Sequence, residues 1–340
     1  MAKTVDFILL FTITAIIFYI LYRMISKSMN ETKTVTPPFN NDANSSQMKE
    51  LNNITLGTSG VAITNSAFPA NQNNALRNFC IKSSFNSAYT GGYMNLDMIK
   101  YVLHRGCRFL DFQVFIKDNT AIVAYSKEDY NDAFSSNAPA LSLAGVFSTI
   151  NMNAFNEHSP NPNDPLFIQL RILSDLPSAE SIVAQAIASS FSVNLYSDPT
   201  TGHAIPIDLN VQMNELQSKV VIVTEKDSTS GRSNDTSTSL SNYVNLFTNT
   251  TNVRRYTENQ LTYQPINPPN PDVYLFQIVL PNLGYFFGVN NSDAQYLITN
   301  YGVQAIAQAF YSPDFNLTNY EAMFDKYKSA FVPISDIINQ

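Results

Sequence analysis

The chain has 340 residues, 44% of them hydrophobic and 12% aromatic, enough for a large domain with a substantial core. Its formal charge of -7, from 20 basic and 27 acidic side chains, excludes the basic face that nucleic-acid binding requires. Cys80 and Cys107 are its two cysteines, and His104, His158 and His203 its three histidines. They supply neither a disulfide framework nor HxH or HExxH spacing for zinc, and both cysteines sit in apolar runs that favour buried thiols.

Phe7 to Tyr22 reads FILLFTITAIIFYILY, an uncharged run bounded by Asp6 and Arg23. At about 1.5 Å per residue it predicts a short membrane-spanning helix, completed by snorkelling of Arg23 and Lys27. A cleaved signal peptide is the competing expectation, but only Lys3 precedes the run and no A-x-A site follows. Residues 1–29 are therefore taken as a single-pass anchor whose partner is the lipid bilayer. Arg23, Lys27 and Lys33 follow the run, which puts the main domain on the cytoplasmic side. Residues 30–69, rich in Asn, Ser and Thr and carrying Pro37-Pro38, read as a tether. Sequons begin at Asn30, Asn44, Asn53, Asn234, Asn249, Asn290 and Asn316; in so Asn-rich a chain they do not establish secretion.

Residues 70–340 form the main domain. Strand-like runs begin at Asn78 (NFCIKSSF), Cys107 (CRFLDFQVF), Thr120 (TAIVAY), Leu166 (LFIQLRI), Lys219 (KVVIVTE), Val273 (VYLFQIVL) and Val303 (VQAIAQAF). Helices are predicted from Asn95 with Gly106 as a stop, from Ser178 with a Ser178–Ser181 capping box, and from Asn319. Nearly continuous apolar strands alternating with helices indicate a parallel sheet covered on both faces. About eight such units over about 270 residues suit a closed α/β barrel of the TIM type. Asp227–Ser241 and Pro265–Pro271 read as a low-complexity loop and a polyproline-like connector.

IKSSFNSAY (Ile81–Tyr89) resembles a strand-one motif of the form I-S-x-S-H-N-x-Y, and GCRFLDFQVF (Gly106–Phe115) resembles G-C-R-x-x-E-x-D. TAIVAYS (Thr120–Ser126), NELQSKVVIVTE (Asn214–Glu225) and GVQAIAQAFYSPD (Gly302–Asp314) follow in matching order. Together they resemble the catalytic barrel of phosphatidylinositol-specific phospholipase C, from about Asn78 to Pro333. The resemblance implies a (β/α)8 barrel in which two histidines act as acid and base at strand ends, and acidic residues bind Ca²⁺ or orient those histidines.

Carried across position by position, the first histidine falls on Phe85, beside a retained Asn86. The second-strand Glu falls on Asp111 and its Asp on Gln113, the other histidine on Ser126, and a further acidic position on Arg171. A basic phosphate-contacting position falls on Val223. Two expectations remain open: a rewired phosphodiesterase with Asp111 as base and Arg171 stabilising phosphate charge, or a buried Asp111–Arg171 ion pair in a barrel without turnover. The favoured expectation is a pseudoenzyme that meets a protein partner in an assembly or binds a headgroup. It needs no cofactor; Ca²⁺, with Asp111 as its weak candidate ligand, belongs to the enzyme alternative. Tyr285, Phe286 and Phe287 are expected either at a membrane or partner edge or in the core.

Overall fold

Period-two alternation in the apolar runs puts one set of side chains inside a cylinder and the other under a shell of helices. The computed structural model of the chain describes residues 74–126, 140–174, 176–225, 239–265, 275–284 and 288–339, together with Tyr19. The expected anchor at Phe7–Tyr22 (Tyr19 apart) and the tether lie outside these residues, as do Tyr285–Phe287 and most of the two expected connectors. Among the described residues no helix is long and apolar enough to cross a membrane.

In chain order, β1 (Phe79–Ser84) leads to helix α1 (Leu96–His104), then β2 (Phe109–Lys117), β3 (Thr120–Val123), β4 (Leu141–Ser142), α2 (Leu143–Ala154) and β5 (Leu166–Ile172). Next come α3 (Ala179–Ser190), β6 (Val220–Glu225), β7 (Leu246–Thr248), β8 (Val253–Thr257), α4 (Glu258–Thr262) and β9 (Phe276–Leu280). The chain continues through β10 (Leu283–Gly284), β11 (Gly288–Val289), α5 (Ala294–Tyr301), β12 (Ala305–Gln308), α6 (Phe315–Tyr327), β13 (Phe331–Pro333) and α7 (Ile334–Ile338).

Eight strands pair in the order β7-β6-β5-β2-β1-β12-β9-β8, every neighbour parallel. This is the nearly closed parallel α/β barrel that the alternation predicts. The seven expected strands all form, but TAIVAY does not join the barrel wall. It turns back as β3, antiparallel to β2, through Asp118 and Asn119 at φ +48° and +60°. Two successive left-handed residues make the tight turn whose twist suits a hairpin, and Asp and Asn tolerate it. β7 and β8 went unrecognised because Leu246–Thr248 is too short for a period and Arg254–Arg255 interrupts the other run.

Helix boundaries differ at two places. Asn95 caps α1 as expected, its side chain accepting from the Asp97 N–H at 2.8 Å. Ser178, by contrast, has helical backbone angles and makes no side-chain cap, so the expected capping box is absent; Ser181 donates to the Ser178 carbonyl instead. The helix expected from Asn319 starts at Phe315, because Asp314 caps it by accepting from Leu317 N–H at 2.8 Å.

The lower lumen is aromatic. Phe167 stacks with Phe109 and Phe276 at centroid distances of 6.3 and 6.4 Å, and Phe331 packs on it from β13. Each such ring, once buried, contributes about 1.5–3 kcal/mol. Small Ala305 and Ala307 on β12 make room for them. Leu110, Phe112, Val114, Ile168 and Leu170 face the other way, into the layer under the helices. Arg108 of the GCR motif is also outside the lumen, fully buried and donating to the Ala154 carbonyl and Ser159 hydroxyl at 2.9 Å each. The polar groups left inside the cylinder gather near the C-terminal ends of the strands.

Candidate functional site

β1 ends at Ser84, and the chain turns through Asn86, whose φ of +43° is tolerated by a short amide side chain. The turn brings the Asn86 N–H to Asp111 Oδ2 at 3.1 Å, while the Asp111 backbone is held by Ser87 through two further hydrogen bonds. On β5, Arg171 pairs in register with Gln113 and reaches diagonally to Asp111. Its Nε donates to Asp111 Oδ1 at 2.8 Å and its Nη2 to Asp111 Oδ2 at 2.7 Å, a two-pronged fork. Nη2 also donates to Asn86 Oδ1 at 2.7 Å. Phe85 lies with its ring 5.1 Å from the guanidinium carbon, close enough for cation–π attraction. Asp111 is 0% and Arg171 4% exposed at the side chain.

The structure therefore brings Phe85, Asn86, Asp111 and Arg171 into one contact group. Gln113 and Ser126 form a second: Gln113 Nε2 donates to the Ser126 carbonyl at 3.0 Å, and Ser126 N–H donates to Gln113 Oε1 at 2.8 Å. The Gln113 amide thus pins the chain leaving β3. Val223 is fully buried among apolar lumen residues and offers no phosphate contact.

Three tyrosines that lie within the quoted motifs but were given no role there cover this end of β1, β2 and β12. Tyr89 stacks on Tyr125 at 4.1 Å and 9°, and meets Tyr311 edge-on at 4.9 Å. Burial raises the Tyr311 hydroxyl well above the ordinary range, opposed weakly by Arg171 and Asn86; burial also raises Tyr125, against the pull of Arg171. Their signal was available, since each stands just past a recognised strand. A second ion pair, Arg255 Nη2 to Glu225 Oε2 at 2.9 Å, joins the ends of β8 and β6. Arg255 had no sequence signal because β8 itself was not recognised. Gln169, the register partner of Asp111 on β5, is fully buried with neither amide atom hydrogen-bonded.

His104 ends α1, while His158 and His203 lie on connections that lead from helices α2 and α3 to β5 and β6. Such connections sit at the opposite end of the barrel from Asp111 and Arg171. All three histidines are exposed. The calcium implied by the sequence resemblance needs six to eight oxygens. Here Asp111 is occupied by Arg171 and the Asn86 N–H, and Gln113 is turned to Ser126. Among the described residues no three of His, Cys, Asp and Glu converge to hold a metal. These residues do not fit a calcium ion.

The nearly closed parallel barrel with a polar cluster at its strand ends is of the same form as the PLC-like phosphodiesterase fold. Residues 72–226 match the family model described as Phosphatidylinositol-specific phospholipase C, X domain. Over that stretch, which includes β1 to β6, the chain resembles this X domain. In fold it is similar to the crystal structure of L. pealei PLC21, with a TM-score of 0.62 and 18% identity over 78% of this chain and 38% of that one. S. officinalis PLC21 is similar to the same degree, with a TM-score of 0.62 and 17% identity over 82% of this chain and 39% of that one. The chain thus spans less than two fifths of the length of either protein. No curated protein matches it.

Proposed function

We propose that this chain is a pseudoenzyme: a phospholipase-C-like barrel that acts as an interaction or structural protein, attached to a bilayer through Phe7–Tyr22. The observation that carries the reading is the closed Asp111–Arg171 fork beneath Phe85. Cleavage of a phosphodiester needs a base for the attacking hydroxyl, an acid for the leaving oxygen and unspent positive charge for the transition state. Phe85 exchanges no proton, Asp111 is held as a carboxylate partner, and the Arg171 charge is directed at it. Loss of a general acid or base typically costs about 10²- to 10⁴-fold each. Headgroup binding at the mouth is the weaker version of the proposal, because Phe85 fills the place beside Arg171.

The second reading, a divergent phosphodiesterase on phosphoinositides, is supported by the retained Asn86 and Asp111, with Arg171 beside them in one cluster. Full-length protein incubated with phosphatidylinositol and with a generic phosphodiester, with and without Ca²⁺, separates the two. No turnover is expected. Turnover that Asp111→Asn abolishes overturns the pseudoenzyme reading.

A further inference from the structure

On the outside of the barrel, α5 and α6 part to leave a cavity of about 280 Å³, lined chiefly by Asp293, Gln295, Asn316, Asn319, Tyr320 and Met323. From α6 it takes residues at i, i+3, i+4 and i+7, one continuous helix face. This volume is close to the roughly 300 Å³ at which small-molecule sites begin, room for one ring-sized ligand.

We propose that this cavity binds a neutral saccharide. Charge excludes the alternatives. Among the described lining residues none is basic, so an anion would meet the Asp293 carboxylate with no cationic side chain to hold it. A cation fares no better, because Asp293 already caps α5 by accepting from the Tyr296 N–H at 3.0 Å, at the positive end of that helix. What remains is a wall of amide donors and acceptors. Asn316 spends its Nδ2 on the Asn291 carbonyl at 2.7 Å, which fixes its orientation and leaves Oδ1 for a hydroxyl. Gln295 Nε2 is directed to the Ile337 carbonyl and Thr299, which likewise leaves Oε1. Asn319 is exposed on the same face and supplies the donor.

Tyr320 is 1% exposed and its hydroxyl accepts from the Ser83 N–H at 2.6 Å in the interior, so it is Met323 that offers apolar surface to sugar C–H groups. Apolar surface from Met323 beside fixed amides is the combination a polyol with apolar faces recognises.

Saturation-transfer NMR on the full-length protein with glucose, galactose, mannose and N-acetylglucosamine tests the proposal. At least one sugar is expected to bind in the millimolar range, with affinity about tenfold lower in Asn319→Ala, the equivalent of one or two lost hydrogen bonds. Asn319 is an exposed helix position, so this variant is expected to fold, which its unfolding midpoint verifies. Arg255→Ala, at the barrel mouth, is expected to bind as the parent does. Absence of transfer to all four sugars overturns the proposal. So does binding that survives Asn319→Ala and fails in Arg255→Ala, which would place the sugar in the barrel.

Discussion

Arg171 holds both carboxylate oxygens of Asp111, at 2.8 and 2.7 Å, from the neighbouring strand and one side-chain step away. Both groups are buried, so their attraction is set against the desolvation of two charges, and the pair is worth far less than either partner's removal would cost. The relationship makes the site self-satisfied, and four outcomes follow from it and its surroundings.

Arg171→Met alone leaves a buried carboxylate with only the Asn86 N–H for support, and is expected to destabilise the fold by about 3–5 kcal/mol. Asp111→Leu alone strands the guanidinium at a similar cost. The double variant is expected to recover most of the loss, because a well-packed apolar pair replaces the ion pair. Urea unfolding of all four proteins gives the coupling directly; additive losses would show that the fork is not a unit.

Gln113→Leu removes both hydrogen bonds to Ser126 and leaves a backbone N–H and C=O to find new partners. About 1–3 kcal/mol of local stability is expected to go, and faster amide exchange at Tyr125 and Ser126 with it. Hydrogen exchange read by mass spectrometry would detect this. Unchanged protection there means that the Tyr89–Tyr125 stack alone fixes the segment.

Cys80 and Cys107 are fully buried, and burial pushes the Cys107 thiol up to about 12 and the Cys80 thiol higher still. Thiolate is the reactive form. Neither cysteine is expected to react with an aromatic disulfide reagent in the native protein at neutral pH, and both are expected to react in guanidinium. Rapid native labelling of either would place it outside the barrel core.

Glu258, at the start of α4, is half-buried; burial raises its pKa, opposed by a hydrogen bond from Ser292. Its folded pKa lies above the unfolded one, so its contribution is fully present below the unfolded value and is lost as pH rises through the folded value. Glu258→Gln is therefore expected to be at least as stable as the parent at neutral pH, with the advantage vanishing in acid. Thermal unfolding across that range checks the sign, and an advantage that grows in acid contradicts it.

Much of this was legible in the sequence because it follows from local rules. Apolar runs alternating with helical stretches already required a covered parallel sheet, and Asn95 and Gly106 marked the first helix. The motif order placed Phe85, Asn86, Asp111, Gln113, Ser126 and Arg171 at strand ends, and that was enough to foresee an Asp111–Arg171 pair. β3 was recognised as a strand, yet its direction depended on the Asp118–Asn119 turn. β7 and β8 carry too few periodic residues to announce themselves.

Sequence by itself determined the side-chain chemistry: Phe85 can carry no proton, and no combination of three scattered histidines has metal-site spacing. Only the tertiary structure decided what the surviving polar groups do. It set His158 and His203 on helix-to-strand connections at the far end of the barrel, turned Gln113 to the Ser126 backbone, and closed three tyrosines over the strand ends. The physical reason is that identity is local while partnership is not. Asp111 and Arg171 are 60 residues apart in the chain, and only the parallel pairing of β2 with β5 brings a carboxylate and a guanidinium together to neutralise each other.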